Sequence, residues 1–227
     1  NTALGEQALA ENTTGDENTA IGRNALFANT TADNNTAVGS EALTANTTGA
    51  QNTAVGGLAL TANTTGSNNT AVGYAALDTA TTASDNTAIG YAANYALTTG
   101  TQNVSLGYRA MYTNTVGDRN VAIGYGALET YNPSSNEDSY NIGIGFYALQ
   151  ATTTGTNNTA VGGNAMLVNT TGSNNVAIGY QALDANTTGN TNVAIGQAAG
   201  TSNTTGGNNV FVGAAAGLNN TTGEYNT

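Results

Sequence analysis

The stretch Asn52-Thr53-Ala54-Val55-Gly56-Gly57-Leu58-Ala59-Leu60-Thr61-Ala62-Asn63-Thr64-Thr65-Gly66-Ser67-Asn68 decides the fold, because the chain starts the same phrase again at Asn69-Thr70-Ala71-Val72-Gly73. Its opening Asn recurs at Asn1, Asn18, Asn35, Asn52, Asn69, Asn86, Asn103, Asn120, Asn141, Asn158, Asn175, Asn192, Asn209 and Asn226, so each step is 17 residues except one of 21. A fixed period of this size marks a one-dimensional stack of like units. Numbering positions 1 to 17 from each opening Asn gives thirteen copies that can be compared with one another.

Position 2 is Thr, Val or Ile, and position 4 is always Leu, Ile or Val, from Leu4 to Val212. Such period-two β-branched residues read as a strand. Position 3 is Ala apart from Ser105, Gly143 and Phe211, and position 5 is Gly throughout, from Gly5 to Gly213. Glycine inside a strand marks a bend or a close backbone neighbour. One strand face is therefore expected to fill the coil and the other to meet a second layer or another chain.

Position 8 is always Ala, and position 9 is Leu or Met except at Asn94, Gly200 and Gly217, which suggests a second extended arm. Burial of the position-4 aliphatic with this Leu and the alanines is expected to supply the core. Asn-Thr-Thr-Gly at positions 12 to 15, as in Asn46-Thr47-Thr48-Gly49, is turn chemistry. Positions 6, 7, 10, 16 and 17 vary and are expected to face solvent. Ala-Leu-x-Ala is a helical fragment, but Gly at position 5 and Thr-Thr-Gly leave too short a run for a stable helix. The expected fold is all-β: a β-solenoid or β-roll of thirteen stacked 17-residue coils, forming a single repeat domain over residues 1–227. A coil alone buries too little to offset its backbone entropy, so coil-to-coil hydrogen bonds, stacked Asn side chains and burial against other chains are expected to supply the rest.

Three features interrupt the period. Asn132-Pro133-Ser134-Ser135-Asn136-Glu137-Asp138-Ser139 enlarges one turn, Asn94-Tyr95-Ala96-Leu97 alters the sixth copy, and position 6 is aromatic at Tyr74, Tyr91, Tyr108, Tyr125, Phe146 and Tyr180. The chain lacks an initiator Met, begins on the first position of a repeat and stops two residues into a fourteenth, so a segment of a longer fibre protein is expected.

Composition narrows the function classes. Only 7% of residues are charged, and the net charge of −11 sets 14 acids against three Arg and no Lys, which disfavours nucleic acid and anionic membranes. There is no Cys, His or Trp, hence no disulfide or thiolate metal site, and no apolar run long enough to span a membrane. The acids, among them Asp16, Asp33, Asp78, Asp118 and Asp184, sit at variable positions and read as solvated turn charges rather than catalytic carboxylates. Oxygen-rich Glu137 and Asp138 are the best calcium candidates, but the calcium-binding glycine-rich repeat is absent, so no metal, cofactor or enzymatic role is expected.

The phrase Asn120-Val121-Ala122-Ile123-Gly124-Tyr125-Gly126-Ala127 resembles the head repeat of trimeric autotransporter adhesins. The longer unit with Asn-Thr-Thr-Gly resembles repeats of bacterial and phage tail-fibre-like proteins. The resemblance implies a left-handed β-roll, a parallel homotrimer and an extracellular location. The period of 17 is longer than that of the adhesin head, and neither a membrane anchor nor a coiled-coil stalk is present in this sequence.

The threonine rows are the strongest candidates for function. Position 13 is Thr at Thr13, Thr30, Thr47, Thr64, Thr81, Thr98, Thr115, Thr153, Thr170, Thr187, Thr204 and Thr221, and position 14 adds Thr14, Thr31, Thr48, Thr65, Thr171, Thr188, Thr205 and Thr222 among others. Their plain reading is turn stabilisation. Two sharper ones compete with it. Asn12, Asn29, Asn46, Asn63, Asn169, Asn186, Asn203 and Asn220 each open an Asn-Thr-Thr sequon, and the Thr hydroxyls could instead carry O-linked glycans. Alternatively, regularly spaced Thr suits ice binding. The resulting expectation is a homo-oligomeric structural subunit of an extracellular fibre or adhesin shaft, glycosylated on its turns, that meets its own kind or a surface receptor. A phage tail-fibre shaft, an ice-binding solenoid and a glycan-cleaving fibre enzyme are the other classes.

Overall fold

The computed structural model describes residues 1–135 and 138–227. Backbone contacts divide the chain into two compact units, 1–116 and 117–227. In the first, one short strand per coil stacks in parallel and in sequence order: β1 (Thr2–Leu4), β2 (Thr19–Ile21), β3 (Thr36–Val38), β4 (Thr53–Val55), β5 (Thr70–Val72), β6 (Thr87–Ile89) and β7 (Val104–Leu106). The second is built the same way from β8 (Val121–Ile123), β9 (Ile142–Ile144), β10 (Thr159–Val161), β11 (Val176–Ile178), β12 (Val193–Ile195) and β13 (Val210–Val212). Register is fixed by the repeat itself, since Thr53 pairs with Thr70 and Ala54 with Ala71. The described residues hold no helix and no strand beyond these, so the chain is an all-β solenoid. The enlarged turn keeps register across its four extra residues: Ile142 of β9 still pairs with Val121 of β8. Asn136 and Glu137 of that turn lie outside the described residues.

The expected second extended arm is absent. Residues at positions 7 and 9 adopt left-handed backbone conformations instead, as Leu58 (φ 60°) and Leu60 (φ 53°) do. Leucine resists this conformation because its Cβ crowds the following carbonyl oxygen. Two such residues in one turn fold the chain back sharply under its own three-residue strand, and burying Leu60 completely offsets the strain.

This tight return also inverts the expected strand faces. The position-3 alanines, such as Ala54 and Ala71, are fully buried, whereas the position-4 aliphatics face out, with Ile89 37% and Ile178 40% exposed. The reason is space. A Cβ added to Gly143, at position 3, would lie 3.2 Å from the Ala148 carbonyl oxygen and 3.5 Å from the Leu128 side chain. A methyl group fits there and a branched side chain does not. Phe211 is the exception, and the chain makes room for it by carrying Gly at position 9 of two coils: a Cβ on Gly200 would stand 2.6 Å from its ring and one on Gly217 closer still.

One asparagine ladder at position 1 and a second at position 12, interrupted at Ala80, Leu97, Tyr131 and Thr152, close the coils. Asn52 donates its amide Nδ2 to the Gly66 carbonyl at 2.8 Å, and Asn63 donates to the same oxygen at 3.0 Å. Each amide also meets its counterpart in the neighbouring coil, Asn69 Nδ2 reaching Asn52 Oδ1 at 3.1 Å and Asn63 Nδ2 reaching Asn46 Oδ1 at 2.7 Å. Buried carbonyls that lack strand partners are satisfied in this way, which explains why an interior so poor in large apolar groups tolerates fully buried Asn.

Candidate functional site

The turn that follows the position-12 Asn separates the two threonine rows into different roles. At position 13 the side chain works within the stack: Thr47 donates its Oγ1 to the Thr64 carbonyl at 3.0 Å, and that carbonyl also accepts the amides of Thr47 at 2.9 Å and Thr48 at 3.2 Å. The same bond recurs from Thr13 to Thr30, from Thr170 to Thr187 and from Thr204 to Thr221. At position 14 the side chain stands in solvent. Thr14, Thr31, Thr48, Thr65, Thr171, Thr188, Thr205 and Thr222 are all exposed, and stacking places them in a row at roughly 4.8 Å spacing within each unit.

The sequon asparagines sit differently. Asn29, Asn46, Asn63, Asn169, Asn186 and Asn203 are fully buried, while Asn12 and Asn220 in the first and last coils are half-buried. Asn46 spends both Nδ2 hydrogens, on Asn29 Oδ1 at 3.0 Å and on the Gly49 carbonyl at 2.9 Å. A sugar on that nitrogen would remove one of these bonds and need room inside the coil.

Charged groups are dispersed. Asp78 and Asp184 are half-buried, and burial raises both carboxyls above the ordinary carboxylate range. For Asp78 the neighbouring Thr61 and Tyr95 hydroxyls act in the opposite direction and offset part of that rise. Arg23 pairs with Glu41, and Arg119 with Asp138, at the surface. Among the described residues no three acidic side chains are gathered closely enough to share a metal ion. The calcium candidate Glu137 lies outside the described residues. No described helix is long and apolar enough to cross a membrane.

The position-6 aromatics form ladders, with Tyr74 and Tyr91 stacked at 5.7 Å and Tyr91 and Tyr108 at 5.3 Å between ring centroids. A second column escaped the sequence reading. Tyr95 and Tyr112, at position 10, stack at 5.2 Å and line one groove together with Tyr74, Tyr91 and Tyr108. The available signal was the coincidence of Tyr at positions 6 and 10 in the same two copies, but nothing in the repeat says that these positions border a common depression.

Comparison with protein-family models, with the curated proteins and with the solved structures returns no match.

Proposed function

We propose that the chain is a structural subunit of an extracellular fibre or surface adhesin shaft, homo-oligomeric or filamentous, with a coat of O-linked glycans on its position-14 threonines. The observation that carries this reading is the exposed position-14 hydroxyls, one row within each unit, which project at the rim of the coils. A hydrated coat also answers a physical need. The outward strand face carries only Thr, Val, Ile and Leu at positions 2 and 4, with no charge in any copy. Such a surface on a chain with 7% charged residues favours lateral association. Engagement of the sequon amides favours the threonines over the asparagines as attachment points. The resemblance to adhesin heads and tail-fibre repeats supports the extracellular setting, with a phage receptor-binding shaft as the same architecture in another context.

Intact-mass measurement and peptide mapping of native filaments test this. The expected result is added hexose-type mass on position-14 peptides. A mass equal to the bare sequence, from filaments that stay dispersed, would overturn the glycan coat.

Ice binding is a second reading, and one observation moves it to a new place. Thr19, Thr36, Thr53, Thr70 and Thr87 form an outward row on β2 to β6, a regular sheet face rather than a turn. Thermal hysteresis that disappears on Thr53→Val and Thr70→Val would favour this reading over the fibre.

A further inference from the structure

A groove of about 450 Å³ runs over the first unit between residues 58 and 112. Its floor is Ala75 and Ala92, at position 7, each nearly buried. One wall is the Tyr74, Tyr91 and Tyr108 ladder and the other the Tyr95 and Tyr112 pair. At one end stands the half-buried Asp78 carboxylate, beside Tyr95. Toward the other, the Arg109 guanidinium lies 4.1 Å from the centroid of the Tyr112 ring.

We propose that this groove binds a segment of neutral polysaccharide lying along the direction in which the coils stack. Tyrosine offers an apolar body and a polar tip, which matches the alternation of C–H and hydroxyl groups on a pyranose chain. Ladders that repeat at the coil spacing present the same edge again and again, so they suit a polymer of identical units better than a single compact ligand. Asp78 and Arg109 add a hydrogen-bond acceptor and a donor while cancelling in charge, which gives orientation without selecting an ionic ligand.

Other occupants fit less well. A polyanion meets the Asp78 carboxylate and the −11 charge of the whole chain. A peptide adding a strand needs an unpaired sheet edge, and no strand residue lines the groove. The proposal does not depend on the glycan coat, because the groove and the position-14 row share no residue.

The test uses the full chain produced without glycans, titrated by calorimetry with cellohexaose, maltohexaose, mannohexaose and chitohexaose, and with hexagalacturonate as the anionic comparison. At least one neutral hexasaccharide is expected to bind with Kd below about 1 mM. The double variant Tyr91→Ser with Tyr95→Thr is expected to weaken that binding roughly tenfold or more. It rebuilds the surface that the third coil already carries as Ser40 and Thr44, so folding is preserved and circular dichroism checks it. Tyr180→Ser, at an exposed tyrosine of the second unit, is expected to change nothing. The inference is overturned if no neutral hexasaccharide binds, if only hexagalacturonate binds, or if the double variant binds as tightly as the parent.

Discussion

Replacing Gly56 by Ala tests whether backbone conformation or simple crowding makes position 5 invariant. Gly56 holds φ at 136°, a region closed to L side chains, and a Cβ built there would lie 2.6 Å from the Gly73 carbonyl carbon and closer to its oxygen. The obstacle is backbone of the next coil, so no rotamer change relieves it. If alanine kept the native φ, the strain would cost about 1–3 kcal/mol. If it moved to an allowed region, the Gly56 amide would swing away from the Val38 carbonyl, to which it donates at 2.7 Å, and the Gly73 amide would lose its 2.8 Å bond to Val55. Each lost bond costs about 1 kcal/mol, more where the group stays buried. Either route, with the crowding added, predicts a loss of roughly 3 kcal/mol or more. Gly49→Ala, at position 15, is the control. Its Cβ would sit even closer to a carbonyl oxygen, that of Gly66, but its φ is not positive, and the chain itself places Ala32 and Ala83 at the same position. Urea unfolding followed by circular dichroism should therefore show a loss of about 1 kcal/mol or less for Gly49→Ala. Equal losses for the two variants, or a larger one at Gly49, would refute the conformational argument in favour of crowding alone.

Ala80 occupies position 12 in the fifth coil and leaves the buried Asn63 Oδ1 without a hydrogen-bond partner. Ala80→Asn is expected to restore the ladder and raise stability by about 1 kcal/mol in urea unfolding, and a destabilised variant would show that the site lacks room. Thr191 is a β-branched residue at φ 58°, where Asn34, Asn68, Asn174 and Asn208 stand in other coils. Thr191→Asn should stabilise by about 0.5–1 kcal/mol, and no gain would mean the turn relaxes around threonine at little cost. Asp184 has its carboxyl raised by burial, and its Oδ1 has no hydrogen-bond partner. A raised folded pKa means that the folded state takes up the proton first. Asp184 therefore costs stability at neutral pH, and that cost is relieved as pH falls through the raised value toward 3.8. Asp184→Asn should raise the unfolding midpoint at pH 7 and flatten that part of the pH profile, and a parent-like profile would exclude the residue as its source.

The sequence by itself determined the stack. Thirteen copies of one phrase leave a parallel, in-register solenoid as the arrangement that pairs every Asn-Thr-Ala-Val-Gly with its like, and the glycine and Asn-Thr-Thr-Gly signals mark where each coil bends. The repeat could not say which way a strand faces, because Ala and Val alternate as well with either face inward. Tertiary structure decided that through the left-handed residues at positions 7 and 9, which bring Leu60 under β4 and leave space only for a methyl group. Nor could it tell a buried sequon from an exposed one. Asn46 and Thr48 are two residues apart in the same turn, yet one is fully inside the coil and the other in solvent, because the Asn46 amide is held inward by the Gly49 carbonyl, which it shares with Asn35, and by Asn29 Oδ1. The tyrosine groove was hidden for a related reason: positions 6 and 10 become neighbours only after the turn between them has folded back, and no periodicity along the chain encodes that approach.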